Sequence, residues 1–323
     1  MSRRTRQVGT LVLTAVAIAY LVWKVDLGMA LDVLADTNLA WFALAAAIMV
    51  FTVPVLALRW GWLLASHAIH ERVPWLTRAY FVAYTAGQVL PTSLGGDAVR
   101  VVETTRRHPG RATVVTGTVL LERGVGGVAT LVLGALGFLL SIGEYDVSAY
   151  LWLEGVFVLG TLLLGFLVFA RSARPLLRRT QPLLQRLRLE KPIRHLYEGL
   201  HHYRNHPRLL GRVLAVTFVV QAVRILSIWA AAKAVGVDLD PRIYYVFGPL
   251  LFLVMLVPFT LNGLAVREAF FVSFLGSVGV GADQAFAAGF LYFLVTLLLA
   301  FPGAFIMLRE GLRSRPRPEV GHG

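Results

Sequence analysis

Long apolar runs recur along this chain, and they restrict its fold more than any other feature. They fall at Val8–Val25, Leu39–Ser66, Ala112–Ile142, Ser148–Ala170, Leu209–Val235 and Gln284–Leu308. A helix needs about 20 mostly apolar residues to cross about 30 Å of hydrocarbon. Lipid cannot satisfy backbone N–H and C=O groups, so runs of this kind are helices. The period-two alternation of a barrel strand is absent. The sequence therefore predicts an all-α, polytopic helical membrane protein with six full spans. Its hydrophobic fraction of 57% exceeds the roughly 45–50% of soluble domains.

Two further stretches, Pro74–Arg107 and Pro241–Val278, are apolar but interrupted near their middles by Pro and Gly. Charges on the flanking loops decide how they run. Arg3, Arg4 and Arg6 precede the first span, Arg72 and Arg78 follow the second, and Arg106, Arg107 and Arg111 precede the third. Arg171 to Arg208 is strongly basic, as is the end beyond Leu308 with Arg309, Arg313, Arg315 and Arg317. The alternate loops are acidic, with Asp26, Asp32, Asp36, Glu144, Asp146, Asp238, Asp240 and Asp283. All basic loops share one side only if each interrupted stretch enters and leaves on the same face. The positive-inside rule then puts both termini in the cytoplasm, in a multi-pass protein of the cell membrane. It does not separate a re-entrant pair of half-helices from a hairpin of two full spans.

The two interruptions resemble each other. The first reads Pro91-Thr92-Ser93-Leu94-Gly95-Gly96-Asp97-Ala98-Val99-Arg100, the second Pro258-Phe259-Thr260-Leu261-Asn262-Gly263-Leu264-Ala265-Val266-Arg267. Pro, Leu, Gly, Ala, Val and Arg coincide. The preceding spans hold arginines in similar contexts, Ala57-Leu58-Arg59 and Ala222-Val223-Arg224. Chance is the alternative, since Gly, Ala, Val and Leu are common here. Read as a repeat, the chain is one transmembrane domain over residues 1–314. Repeat one covers about 39–142, and repeat two covers about 209–308 in the opposite orientation. A basic interfacial segment lies at about 171–208, and a disordered tail at 315–323. Interrupted helices at matching positions of inverted halves point to a substrate site near the midplane.

Composition closes off other chemistries. There is no cysteine, hence no disulfide, thiol nucleophile or thiolate metal site. The net charge of +13 sits in loops where topology calls for it, so nucleic-acid binding is not expected. The first run follows arginines as a signal peptide would, but Trp23, Lys24 and Val25 follow it instead of small residues, and it reads as a retained span. His67 and His70, and the cluster His201, His202 and His206, lack the carboxylates of a metal site, so neither metal nor cofactor is expected. No nucleotide loop, nucleophile elbow or catalytic carboxylate pair is found, and the chain is not expected to be an enzyme.

The candidate site residues follow from the breaks and the intramembrane charges. Pro91 and Pro258 lack an N–H and disfavour helix just before them. Gly95, Gly96 and Gly263 permit a reversal, and Ser93, Thr260 or Asn262 are available to cap a helix starting near Asp97 or Leu264. Such helix starts attract anions. Arg59, Glu122, Arg123 and Arg224 lie within spans, where each would cost roughly 2.5–3.5 kcal/mol at the centre if unpaired. They are expected to face the interior, with Asp97, Glu103, Glu122 and Glu268 as partners for Arg59, Arg100, Arg123, Arg224 and Arg267. Two readings remain open: ion pairs that only lock helices together, or a cationic pocket for a phosphate headgroup. Arg59 has a third, snorkelling to the interface.

At Leu90-Pro91-Thr92-Ser93-Leu94-Gly95-Gly96-Asp97-Ala98-Val99-Arg100, Leu120-Leu121-Glu122-Arg123 and Asn262-Gly263-Leu264-Ala265-Val266-Arg267-Glu268 the chain resembles the flippase-like membrane domain of lysylphosphatidylglycerol synthetases, of the multiple peptide resistance factor type, and its stand-alone relatives. The family often has Asp-Arg where this chain has Glu122-Arg123. The resemblance implies a membrane protein without the aminoacyl-transferase domain that moves an anionic or aminoacylated phospholipid, or another lipid-linked headgroup, between leaflets. The headgroup would sit between residues 95–100 and 262–268. The alternatives are a membrane-embedded enzyme on a lipid phosphate or sugar-lipid, or an accessory subunit of a lipid synthase. Membrane lipids are the expected partners, with a lipid- or glycan-synthesising enzyme as another candidate.

Overall fold

The computed structural model describes residues 25–89, 95–141, 206–255 and 265–313, with single positions at 23, 152, 155, 159 and 203. Among them the chain is helical: α1 Leu27–Ala35, α2 Leu39–Ala65, α3 Val73–Val89, α4 Gly95–Arg107, α5 Ala112–Ser141, α6 Pro207–Ala234, α7 Pro241–Met255, α8 Val266–Ser277 and α9 Ala282–Arg313. The spans expected at Val8–Val25 and Ser148–Ala170, the basic segment 171–208 and the tail 315–323 fall almost wholly outside the described residues, as do Ser93, Asn262 and Gly263.

Four helices, α2, α5, α6 and α9, are long and apolar enough to cross a bilayer, and each matches a predicted span within a few residues. Their outward faces are apolar. Leu39, Phe51, Leu139, Phe301, Phe305 and Leu308 are all more than 60% exposed, a surface that water would not tolerate over this extent and lipid would. The protein is a polytopic helical membrane protein. Local chemistry sets the helix ends. The Asn38 side chain accepts from the N–H of Ala40 at 3.0 Å and starts α2. At its other end Ala68 takes φ 57°, and the Ile69 N–H returns to the Leu64 carbonyl at 3.1 Å.

The interrupted stretches each become two helices. α4, α7 and α8 have 13, 15 and 12 residues, and α3 has 17. At 1.5 Å per residue α4 and α8 rise only roughly 18–20 Å, short of a full crossing. The chain enters along α3 and comes back along α4. Arg78, early in α3, pairs with Glu103, late in α4, at 3.1 Å, and the Ala83 carbonyl meets Gly96 at the start of α4. In the second pair, the Phe247 ring of α7 packs on Phe270, Phe271 and Phe274 of α8 with centroids 4.6–5.2 Å apart. Between a re-entrant pair and two full spans, the short helices favour the re-entrant form.

The corresponding helices α2 and α6 run in opposite directions. Three contacts align α2 and α6 antiparallel, Asn38 N–H to the Ala234 carbonyl (2.8 Å), Ser227 Oγ to the Ala45 carbonyl (2.9 Å) and Arg59 to Thr217 (2.7 Å), and Tyr203, ahead of α6, donates its OH to the Leu63 carbonyl (3.2 Å) near the end of α2. Equally, α3 runs against α9, through Arg78 with Glu310, Thr85 Oγ1 to the Ala300 carbonyl and Gln88 to the Thr296 carbonyl. The two halves exchange partners: α3 of the first packs on α9 of the second, and α7 of the second on α5 of the first, while α2 and α6 form the seam between them.

Candidate functional site

The first constellation centres on Glu122 of α5, which is 4% exposed. Its Oε1 accepts from Arg59 Nη2 (2.8 Å) and Nε (3.3 Å) on α2 and from Tyr80 OH (2.7 Å) on α3. Arg100 of α4 reaches its Oε2 at 2.8 Å. Arg100 also contacts Asp97 at 3.1 Å, and Asp97 pairs with Arg123. The Arg100 guanidinium lies between the rings of Trp60 and Tyr80, 4.3 Å from each centroid. Trp60 is held in turn by its Nε1 donating to Thr118 Oγ1 at 3.0 Å. A carboxylate carried into a membrane interior is tolerable only with partners of this quality. Arg59 is buried and paired, so the snorkelling reading does not hold for it.

Every nitrogen of the Arg59 guanidinium has a partner, as does Glu122 Oε1, whereas Arg100 engages through Nη2 alone and its buried Nε and Nη1, facing the two rings, have no hydrogen bond. The cluster is a lock joining α2, α3, α4, α5 and α6. Gly96 has a packing role within it. A Cβ there would stand 2.2 Å from the Ala83 carbonyl oxygen, so only glycine lets α4 lie this close to α3.

The second constellation is more open. Arg224 of α6 donates Nε to Thr52 Oγ1 (2.9 Å) on α2 and Nη2 to Tyr84 OH (2.7 Å) on α3, both neutral. Arg267, at the start of α8, binds its neighbour Glu268 through Nη2 at 2.6 Å and lies 4.8 Å from the Phe293 centroid. Both arginines line a cavity of about 270 Å³ with Met49, Thr130, Gln221, Tyr292 and Thr296 and an apolar wall that includes Ile228 and Phe252. Met49, Thr130 and Thr296 lie near the middles of α2, α5 and α9, so the cavity is near mid-bilayer. Arg100 does not line it, whereas the sequence reading placed Arg100 and Arg267 on one headgroup. Ala265, just before α8, takes φ 64° and gives no side-chain cap, and α8 begins at Val266, close to the start expected near Leu264. Strained backbone of this kind clusters at functional sites.

Two larger, shallow grooves lie at the basic end of the bundle. One of about 670 Å³ is lined by His70, Glu71, Arg72, Trp75, Arg107 and His108. The other, of about 380 Å³, lies among Arg78, Glu103, Arg106 and Glu310. They are open, and part of their charge is paired internally, Glu71 with Arg107 (2.7 Å) and His108 (3.0 Å) and Arg78 with Glu103 and Glu310. The cavity inside the bundle is the better candidate because it is less open than either groove and holds an arginine that meets no carboxylate among the described residues.

The sequence matches the family described as the Lysylphosphatidylglycerol synthase TM region over residues 7–303. The chain belongs to that family. A curated relative is Glycosyltransferase AglD of Haloferax volcanii, 29% identical over 273 residues that make up 75% of this chain and 43% of that protein. The chain thus spans less than half the length of this relative.

Within this member of the Lysylphosphatidylglycerol synthase TM region family, several residues escaped the sequence reading. Trp60, Tyr80 and Thr217 complete the lock; Thr52 and Tyr84 hold Arg224. Nothing marks them in sequence, since aromatic and hydroxyl residues are common in spans. Gly137 and Gly303 did leave a signal: like Arg59 and Arg224, or Arg100 and Arg267, they are about 166 residues apart.

Proposed function

We propose that the chain is a lipid transporter, carrying an amphipath with an anionic or aminoacylated headgroup between the leaflets of the cell membrane. The observation behind this reading is the mid-bilayer cavity at the seam of two oppositely oriented halves, each with a re-entrant pair of short helices. Inverted repeats of this kind expose a central site to each side in turn by rocking one half against the other. The family's description ties it to a lipid synthase, which fits a lipid cargo. In this reading the chain makes and breaks no covalent bond, both termini are cytoplasmic, and membrane lipids are its partners.

The test is leaflet exchange. The purified chain is reconstituted in vesicles of phosphatidylethanolamine and phosphatidylglycerol containing an acyl-labelled fluorescent phosphatidylglycerol. An impermeant reductant then bleaches the outer leaflet. A transporter brings the inner-leaflet half into reach within minutes, and a trace identical to protein-free vesicles refutes the proposal for this lipid class.

A second reading has one observation in its favour. The relative is named a glycosyltransferase, and the chain matches less than half of it. The chain would then be a membrane partner of a lipid- or glycan-synthesising enzyme. Co-purification with such an enzyme, without leaflet exchange by the chain alone, supports this alternative.

A further inference from the structure

The two halves place equivalent arginines in unequal company. Arg59 and Arg100 of the first half correspond to Arg224 and Arg267 of the second. In the first half both arginines converge on one buried carboxylate, Glu122 of α5. In the second half α9 stands where α5 stands in the first, and the residues it contributes to the cavity wall are Tyr292 and Thr296. No carboxylate lines the cavity among the described residues. Glu268 meets Arg267, but Arg224 has only Thr52 and Tyr84. Among the described residues, one positive charge is left without a counter-ion near mid-bilayer.

We propose that this cavity is an anion site, in which a phosphate or carboxylate takes the place that Glu122 holds in the other half. The assignment deepens the transport reading and rests on it only for the source of the anion. Both arginines line it, and Gln221, which donates to Thr130 Oγ1 at 2.8 Å, adds a polar amide on the same wall. Thr52 and Tyr84 hold the Arg224 fork in place before the ligand arrives, which removes much of the ordering cost of binding. The volume of about 270 Å³ is just under the roughly 300–1,000 Å³ of small-molecule sites. It admits a headgroup and leaves acyl chains outside. The apolar wall of Ile225, Ile228, Leu251, Phe252 and Met255 suits the first carbons of a lipid better than a fully hydrated ion.

The experiment uses the full chain in a neutral maltoside detergent, at constant ionic strength, with thermal unfolding followed against ligand concentration. The probes are inorganic phosphate, dihexanoyl phosphatidic acid and the uncharged dihexanoyl glycerol. The wild type shows a saturable upward shift of Tm with phosphatidic acid and none with the glyceride. Arg224→Gln moves the midpoint concentration up by roughly tenfold or more, as expected for losing a charged hydrogen-bond donor. Arg224→Lys moves it less, and Arg106→Gln, on the exposed basic end, leaves it unchanged. Thr296→Phe fills the cavity with both arginines intact and also abolishes the shift, which keeps the test valid if Arg224→Gln does not fold. Saturation by inorganic phosphate as strongly as by phosphatidic acid, with the same Arg224 dependence, supports the site and makes the ligand a free anion. A preference for phosphatidic acid supports the site and makes it a lipid. No saturable shift in the wild type, or midpoints that ignore both Arg224→Gln and Thr296→Phe, overturns the site. Binding intact with no leaflet exchange keeps the site and removes transport. Exchange at wild-type rate in Arg224→Gln and Thr296→Phe keeps transport and removes the site.

Discussion

Gly137 of α5 and Gly303 of α9 are equivalent positions of the two halves, and each presses its helix onto backbone of the other half. A Cβ at Gly303 would lie 2.1 Å from the Phe81 carbonyl oxygen of α3, and one at Gly137 would lie 2.4 Å from the Tyr245 carbonyl carbon of α7. The re-entrant helices are thus clamped by partners from the opposite repeat, at two points related by the repeat itself.

Substituting either glycine should cost stability. The atoms in the way are backbone, which cannot swing aside, so Gly137→Ala and Gly303→Ala should each lose about 1–3 kcal/mol or more. Gly124 and Gly126 of the same α5 have nothing within 4 Å of a built Cβ. Alanine there should be neutral or gain about 0.5–1 kcal/mol from helix propensity. Thermal unfolding in detergent checks all four; equal behaviour of the two pairs would contradict the clamp.

The Glu122 lock makes a second prediction. Glu122→Gln leaves Arg59 and Arg100 buried against each other's charge and should cost about 3–5 kcal/mol. Adding Arg59→Met to Glu122→Gln should recover part of that loss, because one stranded charge goes with it. The double-mutant cycle on thermal stability reads the coupling. Additive losses would mean that the ion pair is not what holds α2, α4 and α5 together.

Backbone strain gives a third. Ala68 and Ala265 take φ of 57° and 64°, a region that costs an L-residue about 1–2 kcal/mol and glycine little. Ala68→Gly closes the end of α2 more comfortably and should raise Tm. Ala265→Gly should do the same, and Ala265→Val should lower it, since a β-branched side chain is worst there. If all three leave Tm unchanged, the positive φ values are not a source of strain.

The fourth concerns orientation. The absence of cysteine gives a clean background for labelling. Arg106→Cys, at the end of α4, and Asp238→Cys, in the loop between α6 and α7, lie at opposite ends of the bundle. The charge pattern predicts that Asp238→Cys reacts with an impermeant maleimide in intact cells and Arg106→Cys only after permeabilisation. The reverse pattern would invert the topology.

Much of the fold was legible because hydrocarbon imposes a length and a period that sequence cannot hide. Leu39–Ser66 predicted α2 at Leu39–Ala65, and Pro and Gly marked where Pro74–Arg107 would divide into α3 and α4. The pairing of the charges was not legible. Arg59, Arg100, Arg123, Arg224 and Arg267 had four candidate carboxylates, and choosing among them needs the packing of α2, α4 and α5. Geometry gives Glu122 to two arginines and Glu103 to Arg78, an arginine outside those five. It also left Arg224 with neutral partners, a difference between the halves that similar motifs conceal.

The exchange of partners between halves bears on how the protein is made. Arg78 of α3 meets Glu310 of α9 across 232 residues of chain. At roughly 5–20 residues per second, the ribosome takes on the order of 10–50 s to supply that partner. Throughout that interval the first hairpin sits in the membrane with the face meant for α9 uncovered. Biogenesis therefore needs something to shelter that face, such as lipid, an insertase or a neighbouring chain. A substitution that weakens the α3–α9 contact would be felt first as degradation of the nascent chain.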